Sequence, residues 1–181
     1  MTALLPPAAA PDTIDAIAGL RESDAVAMLR RARDKVLLHT RLAEAALFDA
    51  ALFDAALPDL SLIERLHAAR YVAQRSNAHA LAATYRARLI DAGGTPDDIA
   101  RSDADAFDAL PRRLGALLAH ARRLTLSPVD ARPSDLDALK SAGFTTPAIV
   151  ALSQLVAFVA YQLRVAAAAR ALQARATREA A

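Results

Sequence analysis

The feature that most constrains the fold of this chain is residues 60–94, LSLIERLHAARYVAQRSNAHALAATYRARLIDAGG, which have the pattern of two helices joined end to end. Ser61 is a favourable N-cap for the first helix, because a serine oxygen can accept a hydrogen bond from a free N–H of the first turn. Ser76 and Asn77 are poor in a helix interior and good as caps, so a second helix is expected to begin at Ala78 and to end at the double glycine. The remaining chain is expected to pack around this joint.

Helix start and stop signals continue on both sides of this pair. Ser23 can cap an earlier helix, and Thr95, followed by a proline and two aspartates, marks the start of a short one. Residues 111–124 carry leucines on one side of a helix, and Gly143 separates a further helix from a long apolar one that begins near Pro147. Alanine is the commonest apolar residue, only five glycines occur in 181 residues, and no segment alternates polar and apolar residues as a strand would. The sequence therefore predicts an all-α bundle of about seven to nine helices.

One folded domain is predicted, over residues 12–174, which is long enough to bury a core of Leu, Val, Ile and Ala. Residues 1–11 form an Ala- and Pro-rich lead-in that is expected to be disordered, and residues 175–181 are expected to fray. No signal peptide is expected, because the start of the chain lacks a basic segment and two prolines cut its apolar stretch. The most apolar segment, residues 147–163, is shorter than the roughly 20 residues that span a bilayer, so a buried helix in a cytoplasmic protein is predicted.

Composition excludes several classes of function. The chain has no cysteine, which rules out disulfides, thiolate metal ligands and thiol catalysis by its own residues. Its 22 basic and 20 acidic residues are interleaved along the helices, whereas nucleic-acid-binding proteins concentrate Lys and Arg on one face. Neither nucleic acid nor a membrane is therefore an expected partner. His39 and His120 show no metal-ligand spacing and no glycine-rich phosphate loop occurs, so no metal and no cofactor are expected.

Residues 133–172, PSDLDALKSAGFTTPAIVALSQLVAFVAYQLRVAAAARAL, combine an acidic helix start, an Ala-Gly stop and a long helix with the core LSQLVAFVAYQLRV. This run resembles the AhpD-like, carboxymuconolactone decarboxylase (CMD) superfamily of alkylhydroperoxidase-type helical proteins. Residues 60–92 are similar in layout to the pair of helices that carries the active site in that family. The two regions and their linker cover most of residues 23–174. The resemblance implies a helical subunit that assembles into oligomers.

The peroxidase members of this family carry a relay Glu, a Cys-x-x-Cys that opens a helix, and a His four residues further on. Superposing that motif on this chain places the two cysteines at Ala78 and Leu81, the His at Tyr85 and the Glu at Leu66. The start of a helix lowers the pKa of a thiol and so produces a reactive thiolate, which is the group that the family chemistry uses. Because all four reacting groups are absent, thiol peroxidase activity is predicted to be absent, and the site is expected to be filled with apolar side chains.

The resemblance implies two alternative functions. The first is a non-catalytic or repurposed subunit that assembles with itself or with a cysteine-containing relative. The second is a non-thiol small-molecule enzyme of the CMD type, with acid–base groups among His67, Tyr71, His79 and Tyr85. The residues by themselves favour a simpler interpretation, in which His79 is a surface residue and His67, Tyr71 and Gln74 form a solvated or interface side of their helix.

Two further predictions concern polar residues near these helices. Glu64 lies close to the relay position but is offset from it by two residues, so its side chain is expected to point elsewhere. Tyr161, Gln162 and Arg164, on the most apolar helix, are the polar groups most expected to be buried, where they would need hydrogen-bond partners.

Overall fold

The computed structural model describes residues 12–49 and 59–179. Within those ranges the regular elements are nine α-helices and two short 3₁₀ turns, and no strand occurs. The prediction of an all-α protein with seven to nine helices is confirmed for this part of the chain, and the predicted disorder of residues 1–11 lies outside it. The helices are α1 (Thr13–Ala18), α2 (Ala25–Arg31), α3 (Asp34–Phe48), α4 (Leu62–Arg75), α5 (His79–Asp91), α6 (Pro96–Asp103), α7 (Arg112–Leu126), α8 (Pro133–Ser141) and α9 (Thr146–Glu179).

The chain divides into two compact units. The terminal unit lies within Met1–Ala46 and Tyr161–Ala181, and the middle unit lies within Leu47–Ala160. Helix α9 contributes residues to both units and continues to Glu179. The single domain over residues 12–174 and the fraying of residues 175–181 stay predictions.

Helix α4 is buried on every side in the middle unit. Residues 65–73 are all buried, and nine consecutive residues make more than two helical turns. Ala68 and Ala69 have small side chains, so neighbouring elements can approach the helix closely. Helices α5 and α7 pack most extensively against it. A capping box begins the helix: the Ser61 hydroxyl accepts a hydrogen bond from the backbone N–H of Glu64 at 3.3 Å, and the Ser61 N–H donates to the Glu64 carboxylate at 2.8 Å.

Five helices end in the same kind of turn, which accounts for all five left-handed residues of the described chain. In a Schellman turn one residue beyond the helix takes a positive φ, and two N–H groups bond back to carbonyls of the last turn. Gly19, Gly93 and Gly143 take this position after α1, α5 and α8, as glycine does readily. Asn77 and Asp105 take it after α4 and α6, with φ values of 57° and 55°.

The joint between α4 and α5 differs from the prediction by one residue. The Asn77 N–H donates to the carbonyl of Gln74 at 3.1 Å, and the Ala78 N–H donates to the carbonyl of Ala73 at 2.9 Å. Asn77 therefore ends α4 rather than capping α5. Helix α5 begins at His79, and Ala78 takes the N-cap position without a side-chain cap. Asparagine can do this because its side chain tolerates the left-handed region better than most.

Arg113 on α7 joins three other segments of the middle unit. Its Nε donates to the Glu64 carboxylate at 2.6 Å, its Nη1 to the carbonyl of Gly143 at 2.7 Å, and its Nη2 to the carbonyl of Asp59. Its guanidinium carbon also lies 3.7 Å from the centre of the Phe144 ring. Glu64 thus serves the capping box and this junction, where it acts as a structural residue.

The terminal unit has a small core and much exposed apolar surface. Ile14, Val26 and Ala166 belong to its buried cluster. Phe48 is the one residue of the 15-residue helix α3 that is buried, and it belongs to the middle unit. Seven large apolar side chains of the terminal unit are exposed, namely Met28, Leu29, Val36, Leu38, Leu42, Tyr161 and Leu172.

Of the three polar groups expected to be buried on α9, the structure buries one. Gln162 is fully buried, and its Nε2 donates to the carboxylate of Glu44 at 3.5 Å. Tyr161 and Arg164 are exposed, so the prediction was wrong for both. One or two residues along a helix turn it by about 100° or 200°, which points these neighbours of Gln162 away from its buried side.

Helix α9 contains the apolar segment that the sequence analysis compared with a membrane span. It has 34 residues and includes a segment, with a mean hydropathy of 1.6, that is long and apolar enough to cross a membrane by length and composition. Within the protein 44% of that segment is buried, and Leu152, Leu155 and Val159 on its first half are fully buried. The segment therefore contributes to the protein interior, and a cytoplasmic location stays a prediction.

A close approach between α7 and the 3₁₀ turn at Phe107–Ala109 requires a glycine. A Cβ atom placed on Gly115 would lie 2.5 Å from the carbonyl oxygen of Phe107. That oxygen belongs to the backbone, so a larger residue would have to push the whole turn away. The contact thereby positions the Phe107 ring, whose centroid lies 5.7 Å from that of Tyr71.

Gly115→Ala is expected to lower the free energy of unfolding by about 1–3 kcal/mol, the range for overpacking a core. At an open helix position the same change would stabilise the protein by about 0.5–1 kcal/mol, because glycine costs conformational entropy. The sign of the change, measured by urea unfolding followed with circular dichroism, therefore tests the contact. A variant more stable than the unsubstituted protein would show that the turn does not approach α7 this closely.

Candidate functional site

The positions on which the redox motif superposes hold side chains that fill the interior of the middle unit. Leu66 on α4 is 1% exposed, and Leu81 and Tyr85, one turn apart on α5, are 3% and 1% exposed. Ala78 is partly buried at the start of α5. The Tyr85 ring lies 5.2 Å from that of Phe48, within the range of favourable aromatic pairs. Three of the four positions are therefore occupied by buried aliphatic or aromatic side chains.

His67 and Tyr71 lie in the interior, so the interpretation that placed them on a solvated or interface side was wrong. Both are almost fully buried and Gln74 is partly buried, because α4 is covered on all sides. Burial, with a smaller contribution from the charge of Arg70, lowers the pKa of His67 to about 4. The ring is therefore neutral at pH 7. His79, by contrast, is exposed in the first turn of α5, as the simpler interpretation expected.

Tyr71 belongs to a polar cluster at the end of α6. Its hydroxyl donates to Oδ1 of Asp105 at 2.6 Å, and Nη2 of Arg75 donates to the same oxygen at 2.5 Å. Nε of Arg122 lies 3.5 Å from the other carboxylate oxygen. Burial, and then the hydrogen bond to Asp105, raise the pKa of Tyr71 to about 12. Burial also raises the pKa of Asp105, but the hydrogen bonds from Tyr71 and Arg75 and the charges of both arginines outweigh it and leave that pKa below its ordinary value.

Arg70 is a second buried link between α4 and α6. Its Nη1 donates to Asp103 at 2.7 Å and its Nη2 donates to the hydroxyl of Ser102, which in turn donates to the carbonyl of Ile99 at 2.8 Å. Hydrogen bonds between ionised partners are the strongest of this kind. The hydrogen bonds of Arg70, together with those to Asp105, hold the left-handed turn that ends α6. Because these groups already bond to one another, the geometry favours a structural network over proton exchange with a substrate.

A small pocket of about 220 Å³ lies beside α7, with His120 in its wall. His120 is 6% exposed, and its Nε2 lies 3.3 Å from Oγ of Ser153. That hydroxyl donates its own proton to the carbonyl of Ile149 at 2.9 Å, so Nε2 is the donor and carries the ring proton. Nδ1 is then a buried acceptor without a protein partner, and burial lowers the pKa of the ring. The pocket is lined by Phe107, Ala116, Ala119, His120, Arg122, Arg123, Asp135 and Ala138.

Sequence spacing did not indicate this pocket, because its polar groups come from separate elements. His120 and the two arginines lie on α7, whereas Asp135 lies on α8. The sequence analysis treated His120 as an isolated histidine, although Arg122 and Arg123 lie two and three residues further along the same helix. Within residues 12–49 and 59–179, no group of three or more His, Asp or Glu side chains could hold a metal ion.

No protein-family model matches this chain, and no curated protein or solved structure matches it. The similarity to the AhpD-like and CMD proteins therefore rests on the sequence runs quoted above and stays a hypothesis. The structure contributes three candidate sites: the filled motif positions, the polar cluster around Tyr71, and the pocket beside His120.

Asp105→Asn is expected to lower the free energy of unfolding by about 1.5–3 kcal/mol at pH 7, the range for hydrogen bonds to a charged group. Asparagine also tolerates the left-handed backbone, so the change isolates the charge that Tyr71 and Arg75 contact. Because the pKa of Asp105 is lowered in the fold, its contribution is present above the unfolded value of about 4 and is lost as pH falls through the folded value. The difference between the two proteins in urea unfolding should therefore shrink from pH 7 toward pH 3.

Asp108→Asn is the matched control, because Asp108 is exposed and lies three residues further along the same segment. It should leave the unfolding midpoint close to that of the unsubstituted protein. Equal losses for Asp105→Asn and Asp108→Asn would show that the cluster has no specific stabilising role.

Proposed function

We propose that this chain is a non-thiol relative of the AhpD-like and CMD proteins that acts as a non-catalytic or repurposed oligomeric subunit in the cytoplasm. The proposal rests on which side chains occupy the four motif positions. Leu66, Leu81 and Tyr85 are packed in the interior, and Ala78 stands at the first cysteine position. Nucleophilic catalysis needs an activated group that can reach its substrate, and none of these four side chains is such a group.

Acid–base chemistry of the CMD type has less support from the geometry. A general acid or base has to come within hydrogen-bond distance of its substrate. His67 is buried, and the hydroxyl of Tyr71 is bonded to Asp105. Tyr85 is buried as well, which leaves His79 as the one exposed candidate of the four. A single imidazole in the first turn of a helix is a weaker basis for catalysis than an oriented pair of groups.

The exposed surface of the terminal unit supports the oligomeric part of the proposal. Met28 and Leu29 on α2, Val36 on α3 and Leu172 on α9 are each more than half exposed. Contiguous exposed apolar surface is typical of interaction sites, and Met28 and Leu29 are adjacent on α2. Symmetric assemblies of identical chains are the commonest oligomers, so a second copy of this chain is the simplest partner.

Native mass spectrometry is expected to give a multiple of the 19.1 kDa chain mass. Leu38→Glu combined with Leu42→Glu places charges one turn apart on α3 and should shift the protein toward monomers, because unpaired charges are costly to bury at an interface. Val129→Glu is the control, since Val129 is 93% exposed in the middle unit and should leave the mass unchanged.

A monomeric mass for the unsubstituted protein would contradict the subunit proposal. Protein purified gently from its own cells provides the second comparison. A mass that includes a cysteine-containing relative would make the assembly heteromeric, whereas multiples of the single chain mass would make it homomeric.

Restoring the motif tests its placement. Leu66→Glu, Ala78→Cys, Leu81→Cys and Tyr85→His together are expected to produce reduction of a hydroperoxide to its alcohol and water, with oxidation of the two thiols to a disulfide and a dithiol as the final reductant. The matched variant carries serine in place of both cysteines and should be inactive, because serine cannot form the disulfide. If the quadruple variant keeps its helical content but does not reduce the hydroperoxide, that result would contradict this superposition.

The quadruple variant puts a carboxyl group at a fully buried position, which can unfold the chain. The pair Ala78→Cys and Leu81→Cys alone avoids that change. Thiol titration after one equivalent of hydroperoxide should then show loss of both thiols in one step. Retention of both thiols in the folded double variant would count against the placement.

A further inference from the structure

The pocket beside His120 combines an apolar lining with charged groups. The Phe107 ring and the methyl groups of Ala116, Ala119 and Ala138 form the apolar part of the lining. Its volume of about 220 Å³ is below the range of about 300–1,000 Å³ that is typical of sites for drug-sized ligands, so its occupant would be small.

The two arginines of the lining have N–H donors that are available to a ligand. Nε of Arg122 lies 3.5 Å from Asp105, and Nε of Arg123 lies 3.6 Å from Asp135. Neither guanidinium makes a closer polar contact with another residue of the described chain. Asp105 also pairs with Arg75, so Arg75, Arg122 and Arg123 share only two carboxylates, those of Asp105 and Asp135. The remaining positive charge favours an anion, and the planar fork of a guanidinium matches a carboxylate.

His120 adds a polar atom that the protein leaves unsatisfied. Its Nδ1 is buried and has no hydrogen-bond partner, while Nε2 is directed to Ser153. A buried polar atom without a partner is uncommon and costs free energy. The neutral ring adds no charge to the pocket, so recognition of an anion falls to Arg122 and Arg123.

We propose that this pocket binds a small organic acid, with its carboxylate on Arg122 and Arg123 and a compact apolar body against Phe107 and the three alanines. An inorganic anion would leave the apolar part of the lining uncovered. A neutral molecule would gain nothing from the positive charge of the two guanidinium groups. The inference is independent of the function proposed above, because it uses none of the four motif positions.

The probe is benzoate, with benzamide as its neutral counterpart and inorganic phosphate as an anion without an apolar body. Each is titrated into the ¹⁵N-labelled full-length protein, and amide chemical shifts are followed. Benzoate is expected to cause saturable shifts confined to α7, α8 and the turn at residues 107–109, with an affinity at least tenfold above that of either control. An absence of saturable shifts there, or equal affinity for benzamide or phosphate, would overturn the proposal.

Variants of the lining give a second test. Arg122→Gln and Arg123→Gln are each expected to weaken benzoate binding at least fivefold, whereas Arg86→Gln on the exposed side of α5 should leave it unchanged. Ala119→Trp should fill the pocket and abolish binding, and because Ala119 is exposed the fold can accept the larger side chain. Unchanged benzoate affinity in Ala119→Trp, or in both glutamine variants, would overturn the assignment. These results leave the mass and motif experiments unaffected.

Discussion

The structure of the middle unit depends on the burial of α4, a helix that carries charged side chains into the interior. A buried charge is tolerated when it is paired or hydrogen-bonded. Arg65 meets this requirement with the backbone carbonyls of Leu47 at 2.8 Å and Leu60 at 3.1 Å. Arg70 meets it with Asp103 and the adjoining serine hydroxyl. These partners come from segments before and after α4, so the polar groups of one helix determine where its neighbours must lie.

The helix ends show how far the sequence predicts this fold. Gly93 and Gly143 were recognisable as stops, because glycine is the residue that takes a left-handed backbone most easily. Asn77 and Asp105 serve the same purpose, but the same residue types are also common N-caps, and local sequence does not separate the two roles. The one-residue error at the start of α5 has this origin. Fold class was predictable because it depends on the average over many such signals.

The sequence was less informative about the site, and the reason is the same burial of α4. His67, Tyr71 and Gln74 fall on one side of that helix, and a polar side normally indicates solvent, so Tyr71 was assigned to a solvated or interface side. Its partner Asp105 is 34 residues away in the chain, and only the fold brings the two together. Some neighbours of His120 are also distant in the chain, among them Ser153, which is 33 residues away. The four positions on which the family motif superposes could be assigned from sequence spacing, and their relation to that family stays a hypothesis.

The junction at Arg113 has a consequence for the rates at which the protein folds and unfolds. Its guanidinium group contacts Asp59, Glu64 and Gly143, which lie 54, 49 and 30 residues from Arg113 along the chain. Contacts between distant segments require loop closure before they contribute, so they form late on the folding pathway. We therefore expect the junction to be largely absent from the folding transition state. An interaction of that kind has little effect on the rate of folding and slows unfolding, which makes Arg113 a determinant of the lifetime of the native state.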